Sequence, residues 1–299
     1  MPVVLFFARY TRDPGSNSVD FRSRSVIAGV ALVLLLFVVV LVALYFRHVN
    51  LTKFHAHAEY WVYTTVEELP NQDDMMKRLI GENPYIQRGQ NPIGPAEGLL
   101  FSDVRLKIAL ALRSKNSNLF DPRSLPESIP DHHEFVADVG KFKSIIRLQY
   151  GSPVKLKDKR HLQFLLHASD AFATMTGATW IFDKITGSLR TQSELAEILK
   201  ENFNATKAEL HVRLNETEDQ TFRSFGLVKI GIPDFETHMV PADQTGLVRE
   251  VLEKYISLSW ERGEAFPDPI LAYDDEFILL QKRVSPSLVE MRIVRKQMI

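Results

Sequence analysis

One apolar segment constrains this chain more than any other feature of its sequence. Val26–Phe46 is a run of 21 residues without a charge, interrupted among its apolar side chains only by a glycine. As a helix it would rise about 31 Å, enough to cross the ~30 Å hydrocarbon core of a bilayer. The apolar region of a cleaved secretory signal is shorter, about 7–15 residues. The sequence therefore predicts an uncleaved transmembrane helix, with a cleaved signal or a buried core helix as the alternatives.

Basic residues near the ends of this segment predict its orientation. Four arginines precede it, at positions 9, 12, 22 and 24, whereas Arg47 and Lys53 follow it. An excess of Lys and Arg marks the cytoplasmic side. We therefore expect a single-pass protein of the plasma (inner) membrane whose lipid partner is contacted through Val26–Phe46. The predicted parts are a cytoplasmic tail (1–25), the helix (26–46), a linker (47–57) and an extracytoplasmic domain (58–299).

The overall composition excludes several classes of protein. The chain has 36 Lys and Arg residues against 37 Asp and Glu residues, and it contains no cysteine. Nucleic-acid-binding proteins usually carry a basic excess or a basic stripe, so no nucleic-acid partner is expected. Without cysteine the chain has no disulfide, no thiolate metal site and no cysteine nucleophile.

The order of helix and strand signals after residue 57 predicts an α+β fold. Ala58–Val66 is rich in β-branched and aromatic residues, as strands are. Asn71 is suited to cap a short helix, and Thr191 with Glu194 has the spacing of a capping box. Because strand signals come in runs between helices, we expect a mixed or antiparallel sheet packed with helices.

The remaining elements follow from periodicity and from capping residues. Helices are predicted from Ser102 (burying Leu106, Ile108, Ala109 and Leu112), from Asp158 to Gly177, over Gln192–Phe203, and over Ala242–Arg262. Strands are predicted at Lys143–Tyr150, Ala178–Asp183, Ala208–Leu214, Thr221–Ile230, Asp234–Val240, Phe277–Lys282 and Leu288–Val294.

A weak internal similarity suggests two related halves, 58–150 and 151–299. The stretch around Asp103 and Asp121 resembles the one around Asp170 and Asp183, each with Ser-Asp followed by an apolar-Phe-Asp end. Duplication of a helix–strand unit and chance similarity are both compatible with this pattern.

Two short motifs carry a resemblance to known domains. Met175–Asp183 reads MTGATWIFD, and Phe225–Phe235 reads FGLVKIGIPDF. Together they make residues 161–238 similar to a group of uncharacterised bacterial α+β domains of unknown function. Those domains have Gly-Gly where this chain has Gly177-Ala178. The resemblance implies an α+β fold and no particular activity.

Two clusters contain residue types that bind metal ions, since imidazole and carboxylate are common ligands. On a strand, the two histidines of the first cluster would point the same way. No further ligand set accompanies them, and surface loops commonly have the composition of the second cluster. The clusters are His55-x-His57-x-Glu59 and Asp131-His132-His133-Glu134.

No complete catalytic motif accompanies these clusters. The chain lacks a nucleophile elbow, a Walker A loop, a dinucleotide loop and an H-E-x-x-H zinc motif. The spacing Gly226-x4-Gly231 lacks the Lys-Ser/Thr of a phosphate loop and is typical of turns or close packing.

The sequence thus predicts a membrane-anchored, non-catalytic binding or interaction protein with an unknown protein or small-molecule partner. A membrane-tethered hydrolase, possibly metal-dependent, is the alternative. No catalytic residue, cofactor or metal ligand is assigned.

Overall fold

The computed structural model describes residues 30, 32–44, 55–86, 105–124, 132–266, 270–272 and 277–295. The chain divides into two units, Met1–Asn50 and Leu51–Ile299. In the first unit the described residues are helical and exposed to solvent. The second unit contains two sheets and their helices, and its α+β character agrees with the sequence-based prediction.

The predicted transmembrane helix over Val26–Phe46 is corrected by the structure. None of the described helices combines the length and the apolar character needed to cross a membrane. Of this segment, residue 30 and residues 32–44 are described, and they are helical. The rest of the predicted helix lies outside the described residues. The lipid partner and the location were inferred from this helix and stay predictions.

The first sheet is built around β1, the nine-residue strand that the aromatic and β-branched sequence predicts. All its strand pairs are antiparallel, in the order β2-β3-β1-β4-β5. Among the described strands, β2 therefore forms one edge of the sheet and β5 the other. The strands are β1 (Ala56–Thr64), β2 (Leu106–Leu112), β3 (Ser144–Ser152), β4 (Trp180–Asp183) and β5 (Ser188–Thr191).

Alternate residues of β1 contribute to different cores, because successive side chains of a strand point to opposite faces. Tyr60 and Val62 belong to the larger core, which also includes side chains from the helices and from the second sheet. Trp61 and Tyr63 belong to a smaller aromatic core on the other face. The first sheet is thus covered on both faces, which is why β1 is buried along almost its whole length.

Six helices are described after β1. They are α1 (Gln72–Met76), which continues into a π-helical turn (Lys77–Gly81), α2 (His132–Val139), α3 (Arg160–Thr176), α4 (Gln192–Glu201), α5 (Ala208–His211) and α6 (Thr245–Arg262). Several helix ends follow the sequence signals. Asn71 accepts a hydrogen bond from the backbone N–H of Asp73 (2.7 Å), and Gly177 ends α3 with φ of 64°. The capping box of Thr191 and Glu194 opens α4.

One predicted helix is a strand. The segment from Leu106 to Leu112 was expected to be helical, and instead it pairs with β3 as β2. Its Leu and Ala residues favour helix by propensity, yet half-buried and exposed positions alternate along it for most of its length. Pairing with a buried neighbouring strand therefore overrides the local helical preference.

The second sheet has the order β6-β7-β8-β11-β10-β9, and its β8–β11 pair is parallel. Three expected strands are shorter than predicted, and the one predicted over Asp234–Val240 ends at Thr237. Residues 208–211 form α5 before β6, and a 3-10 turn, Leu227–Ile230, follows β7. The strands are β6 (Arg213–Glu216), β7 (Phe222–Phe225), β8 (Asp234–Thr237), β9 (Ile270–Ala272), β10 (Phe277–Ser285) and β11 (Leu288–Arg295).

The two suggested halves share the first sheet. β2 and β3 come from 58–150 and β4 and β5 from 151–299, while the central β1 begins at Ala56. The helix–strand unit expected around Asp121 contains the strand β2 and a 3-10 turn (Ser117–Phe120), whereas the one ending at Asp183 contains a true helix, α3. Asp103 lies outside the described residues.

Candidate functional site

A fully buried ion pair lies where the two sheets meet. Lys229, in the 3-10 turn after β7, has no exposed surface, and Asp183, at the end of β4, is 1% exposed. The ammonium group of Lys229 donates to the Asp183 carboxylate, to the hydroxyl of Tyr60 (3.3 Å) and to the carbonyl of His211 (3.0 Å). Burial lowers the pKa of Lys229, and the neighbouring Asp183 carboxylate opposes that shift.

The Asp183 carboxylate is also held by the backbone. Its Oδ1 accepts from the backbone N–H of Ile185 (3.1 Å) and of Thr186 (3.3 Å), while Oδ2 faces Lys229. A buried charge destabilises a protein unless it is paired and hydrogen-bonded. Here both carboxylate oxygens have donors, so the charge is compensated within the protein.

Tyr60 and His211 extend this centre into a hydrogen-bonded chain. Nε2 of His211 lies 2.7 Å from the carbonyl of Ala205, and Nδ1 lies 3.0 Å from the Tyr60 hydroxyl. With the proton on Nε2, Nδ1 accepts from Tyr60 and the Tyr60 oxygen accepts from Lys229. Burial holds the pKa of His211 well below its usual range and that of Tyr60 well above it. The His211 ring also stacks on Trp260 (5.7 Å between ring centres).

The chemistry of this centre is that of a sealed polar network. Lys229, Asp183, Tyr60 and His211 are each at most 1% exposed, and each is hydrogen-bonded to another protein group. A substrate would need access to them, and no surface of these side chains offers it. The network therefore fixes how the two sheets pack.

This centre also unites the two motifs that carry the resemblance. Asp183 ends MTGATWIFD, and Lys229 lies within FGLVKIGIPDF. Neither residue belongs to a local catalytic or metal-binding motif of the sequence. A lysine inside an otherwise apolar run was the signal for it, because a buried lysine needs a charged or hydrogen-bonding partner.

Two glycines position the turn that holds Lys229. Gly226 has φ of 115° and Gly231 has φ of 86°, a region that side-chain-bearing residues rarely adopt. A Cβ at Gly226 would lie 2.0 Å from the carbonyl oxygen of His211, and one at Gly231 would lie 2.4 Å from that of His55. The sequence-based interpretation of these glycines as turn or close-packing positions is confirmed.

The carboxyl group of Asp234 stabilises the same turn from the side of β8. It accepts from the backbone N–H of Gly226 (3.2 Å) and Leu227 (3.0 Å) and from the hydroxyl of Ser224 (3.1 Å). Burial raises the pKa of Asp234 to about 6 despite these donors.

A second buried polar group lies on α3. Asp170 is 1% exposed and accepts from the side chain of Gln192 (2.8 Å), with Arg78 at 3.4 Å. Burial raises its pKa. One turn earlier, His167 places Nε2 2.8 Å from the carbonyl of Phe203, and burial lowers its pKa to about 4. His167 thus packs and hydrogen-bonds inside the core.

The first predicted metal cluster lies partly on the opposite face of β1. His57 Nε2 is 3.8 Å from Glu59 Oε2, but Glu59 is already committed to other groups. Its Oε1 accepts from Arg147 (2.8 Å) and from the indole N–H of Trp61 (2.5 Å). These donors lower the pKa of Glu59 against the effect of burial. His55 precedes the strand and packs near Gly231, so the structure does not bring the three residues together as ligands.

The second predicted cluster is only partly described. Asp131 lies outside the described residues, and His133 and Glu134 are exposed in α2. Within the described part of the chain, no group of three or more His, Asp or Glu residues is arranged to hold a metal ion.

A groove runs between the edge strand β2 and helix α1. It has a volume of about 290 Å³, and it is mostly apolar. Leu106 and Ile108 of β2 form one wall, Met75 and Met76 of α1 form the other, and Phe172 of α3 also lines it. Two more grooves lie near α6, and charged side chains contribute to both, Lys159 and Glu261 among them.

The hydrogen-bonding pattern of β2 shows which backbone groups face outward. The carbonyl of Arg105 accepts from Gly151 N–H (3.1 Å), and Arg113 N–H donates to the carbonyl of Lys143 (2.8 Å). Hydrogen-bonded pairs alternate along an antiparallel ladder, so the odd-numbered residues of β2 bond to β3. The backbone groups of Ile108 and Leu110 therefore point to the outer edge, where none of the described strands pairs with them.

The chain matches no known family model, no curated protein and no solved structure. The resemblance of residues 161–238 to uncharacterised bacterial domains stays a prediction.

Proposed function

We propose that the unit Leu51–Ile299 is a non-catalytic binding module that takes up an extended segment of another polypeptide by strand addition at β2. The observation that carries this proposal is the outward edge of β2, with its backbone donors and acceptors beside an apolar groove. The sequence predicted a binding protein without locating a binding surface. We retain that function and add the location of the binding surface.

Strand addition needs an edge whose backbone groups are available to a partner. β2 provides seven residues, more than the described edge strands β5, β6 and β9, which have three or four each. Seven residues match the usual length of a strand in a sheet. Main-chain hydrogen bonds along such an edge supply affinity without depending on the partner's sequence.

The adjoining groove gives the binding site specificity for the partner's side chains, which the backbone of the edge strand does not provide. An added strand places alternate side chains on one face of the sheet. On the side of α1, those side chains would enter the groove between Ile108 and Met75. Peptide-binding domains of the strand-addition type use pockets for alternate side chains to obtain specificity. Methionine side chains suit such a wall, because they adapt to different apolar partners.

The titratable groups favour binding over catalysis. Three groups with shifted pKa values, Lys229, His211 and Tyr60, lie in the interior and bond to one another. Catalytic groups with shifted pKa values are expected in a cleft that a substrate can enter. No such group lines the groove beside β2.

The proposal is tested with the full chain and two substitutions at one position. Random linear peptides displayed on phage are selected against the wild-type protein, and the affinities of selected peptides are then measured by fluorescence anisotropy. Leu110→Pro removes an outward N–H, and proline is tolerated where an edge N–H faces solvent. Leu110→Ala removes the same side chain and keeps the N–H, so it is the matched control.

We expect the Pro variant to bind selected peptides at least about tenfold more weakly than the Ala variant, because one main-chain hydrogen bond and the close approach of the partner are lost. Circular dichroism checks that both variants are folded. Peptide binding should also slow amide hydrogen exchange at Ile108 and Leu110. Equal affinity of the two variants, or a selection that enriches no peptide, would overturn the proposal.

A further inference from the structure

We infer that the segment bound at β2 is acidic on one face and apolar on the other, with the two kinds of side chain alternating along it. This inference rests on the proposed strand addition and adds the chemistry of the partner. It follows from the charges of the edge and from the direction in which each side chain of β2 points.

The edge strand and its flanks are uniformly basic. Residues 105–115 read RLKIALALRSK, with four cations and no acidic residue. This is unusual in a chain whose acidic and basic residues are almost equal in number, 37 against 36. The cations are Arg105, Lys107, Arg113 and Lys115.

The side chains of β2 separate into a polar and an apolar face. Leu106, Ile108 and Leu110 pack against the larger core and point to the side of the groove. Lys107 and Ala109 are exposed and point to the opposite face, where Ala111 is buried in the aromatic core. A strand added beside β2 continues this alternation, so its side chains face the groove and the basic face in turn.

The positive charge of Lys107 determines which side chains of the partner can lie beside this face of β2. Opposite charges in directly facing positions of neighbouring strands stabilise their pairing, and like charges destabilise it. A Glu or Asp of the partner would lie beside Lys107. The two arginines at the ends of the strand add positive charge from a distance, because Arg105 lies over the ring of Tyr150 and Arg113 donates to the carbonyls of Val139 and Gly140. Lys107 is exposed, so an acidic partner gains this interaction without burying an isolated charge.

The same charges argue against a second copy of this chain as the occupant. Antiparallel pairing of two β2 strands would place the basic face of one copy beside the basic face of the other. The cations around Lys107 would then repel each other across the interface. An edge lysine protects a sheet from such self-association, and it leaves pairing with an acidic strand possible.

The test uses three synthetic peptides of seven residues, the length of β2. One alternates Glu with Val, the second alternates Lys with Val, and the third alternates Ser with Val. Their dissociation constants for the full chain are measured by fluorescence anisotropy at low and at high salt. The protein variants are Lys107→Glu and, as a matched control, Lys207→Glu, which reverses an exposed charge just before α5.

The Glu/Val peptide is expected to bind the wild-type protein at least about fivefold more tightly than the Ser/Val peptide, and this preference should shrink at high salt. The Lys107→Glu variant should lose the preference and bind the Lys/Val peptide more tightly, while Lys207→Glu should behave as the wild type does. Gel filtration should show no self-association through β2 in the wild-type protein.

Two failures are distinguishable. If all three peptides bind alike, or if the Lys/Val peptide binds the wild-type protein best, the acidic chemistry is wrong and strand addition stands, provided that Leu110→Pro abolishes the binding. If none of the peptides binds, the acidic partner is wrong, and the phage selection decides separately on strand addition.

Discussion

Two neighbouring residues of β1 lead into two very different polar centres. Tyr60 points into the larger core, where Lys229 and Asp183 form an ion pair that is at most 1% exposed. Glu59 points to the other face and pairs with Arg147, whose side chain is 31% exposed. The same kind of interaction, an ammonium or guanidinium group with a carboxylate, is thus found sealed on one face and bordered by water on the other.

This comparison indicates that burial determines how much each centre contributes to the free energy of unfolding. In the interior, the loss of one partner leaves a charge that water cannot reach. On the open face, water can replace a lost partner and screen the remaining charge. The four predictions that follow test this contrast, from the largest expected effect to the smallest.

Replacing the buried lysine should give the largest loss of stability. Lys229→Met leaves the Asp183 carboxylate buried with only its two backbone donors. We expect the free energy of unfolding to fall by about 3–5 kcal/mol. The double variant Lys229→Met with Asp183→Asn removes the charge too, so it should lose less. Urea unfolding measures both, and a loss below about 1 kcal/mol in the single variant would contradict a structural role for this pair.

Mild acid should destabilise the protein mainly through histidines that are buried in the larger core. The pKa values of His161 and His167 are about 4 in the folded protein, against an ordinary 6.5. The unfolded chain therefore binds more protons between pH 6.5 and 4, and stability falls as the pH falls through this window. At pH 5 each histidine contributes a loss of about 2 kcal/mol.

Protonation of Asp234 has the opposite effect on the free energy of unfolding in the same pH range. Its pKa rises from 3.8 to about 6 on folding, so its contribution is favourable at low pH and is lost as the pH rises. It should offset about 1.4 kcal/mol at pH 5, so that His161, His167 and Asp234 together give a net loss of about 2–3 kcal/mol between pH 7 and pH 5. His211 adds to this loss, because burial lowers its pKa as well. Asp234→Asn should steepen the pH dependence. Urea midpoints at the two pH values measure this, and equal midpoints for the wild-type protein would be the contrary result.

The pair on the open face should matter less than the buried one. Arg147→Met removes two charge-assisted hydrogen bonds to Glu59, at 2.8 and 3.0 Å, but leaves the donor Trp61 in place. We expect a loss of about 1.5 kcal/mol. Because the pKa of Glu59 is lowered from 4.5 on folding, its stabilising contribution is present above that pH and lost as the pH falls below it.

The matched control for this pair is Arg223→Met, whose partner Glu236 lies 3.8 Å away with both side chains exposed. An exposed pair of this kind contributes about 0.5 kcal/mol or less. Urea unfolding compares the two variants. If Arg147→Met were as damaging as Lys229→Met, the contrast between the faces would be lost.

The smallest effect is expected at Lys184. Its ammonium lies 4.9 Å from the ring centre of Trp61, on the open face, and the side chain is exposed. An exposed cation–π contact is worth about 0.5 kcal/mol, so Lys184→Met should change the free energy of unfolding by about that amount. A thermal unfolding series at increasing salt should show the difference from wild type shrinking, and a loss above about 2 kcal/mol would assign Lys184 to the structural core.

The sequence predicted elements whose signals are local. β1 follows from its aromatic and β-branched residues, and α4 begins at the capping box of Thr191 and Glu194. The helix predicted from Ser102 was wrong over Leu106–Leu112, because Leu and Ala at these spacings fit a helix as well as a strand. Only pairing with β3 decides between the two. The predicted membrane-spanning helix was wrong because none of the described helices is long and apolar enough to cross a membrane.

The polar centres could not be located from local patterns. Lys229 meets Asp183 across 46 positions and Tyr60 across 169. The histidine most closely involved, His211, belongs to no local sequence motif, whereas His57 and Glu59 form a recognisable cluster because they are close in the chain. Motifs of residues that are close in the chain therefore pointed to the centre on the open face. The buried centre is formed by residues that are far apart in the chain.

The order of the chain gives the buried ion pair a consequence during synthesis. All five strands of the first sheet precede residue 192, but the lysine that neutralises Asp183 follows that aspartate by 46 positions. At roughly 5–20 residues per second, a ribosome adds Lys229 about 2–9 s after Asp183. During that interval the Asp183 carboxylate has no Lys229 with which to pair. The larger core can therefore close around this charge only after the turn between Gly226 and Gly231 has been synthesised.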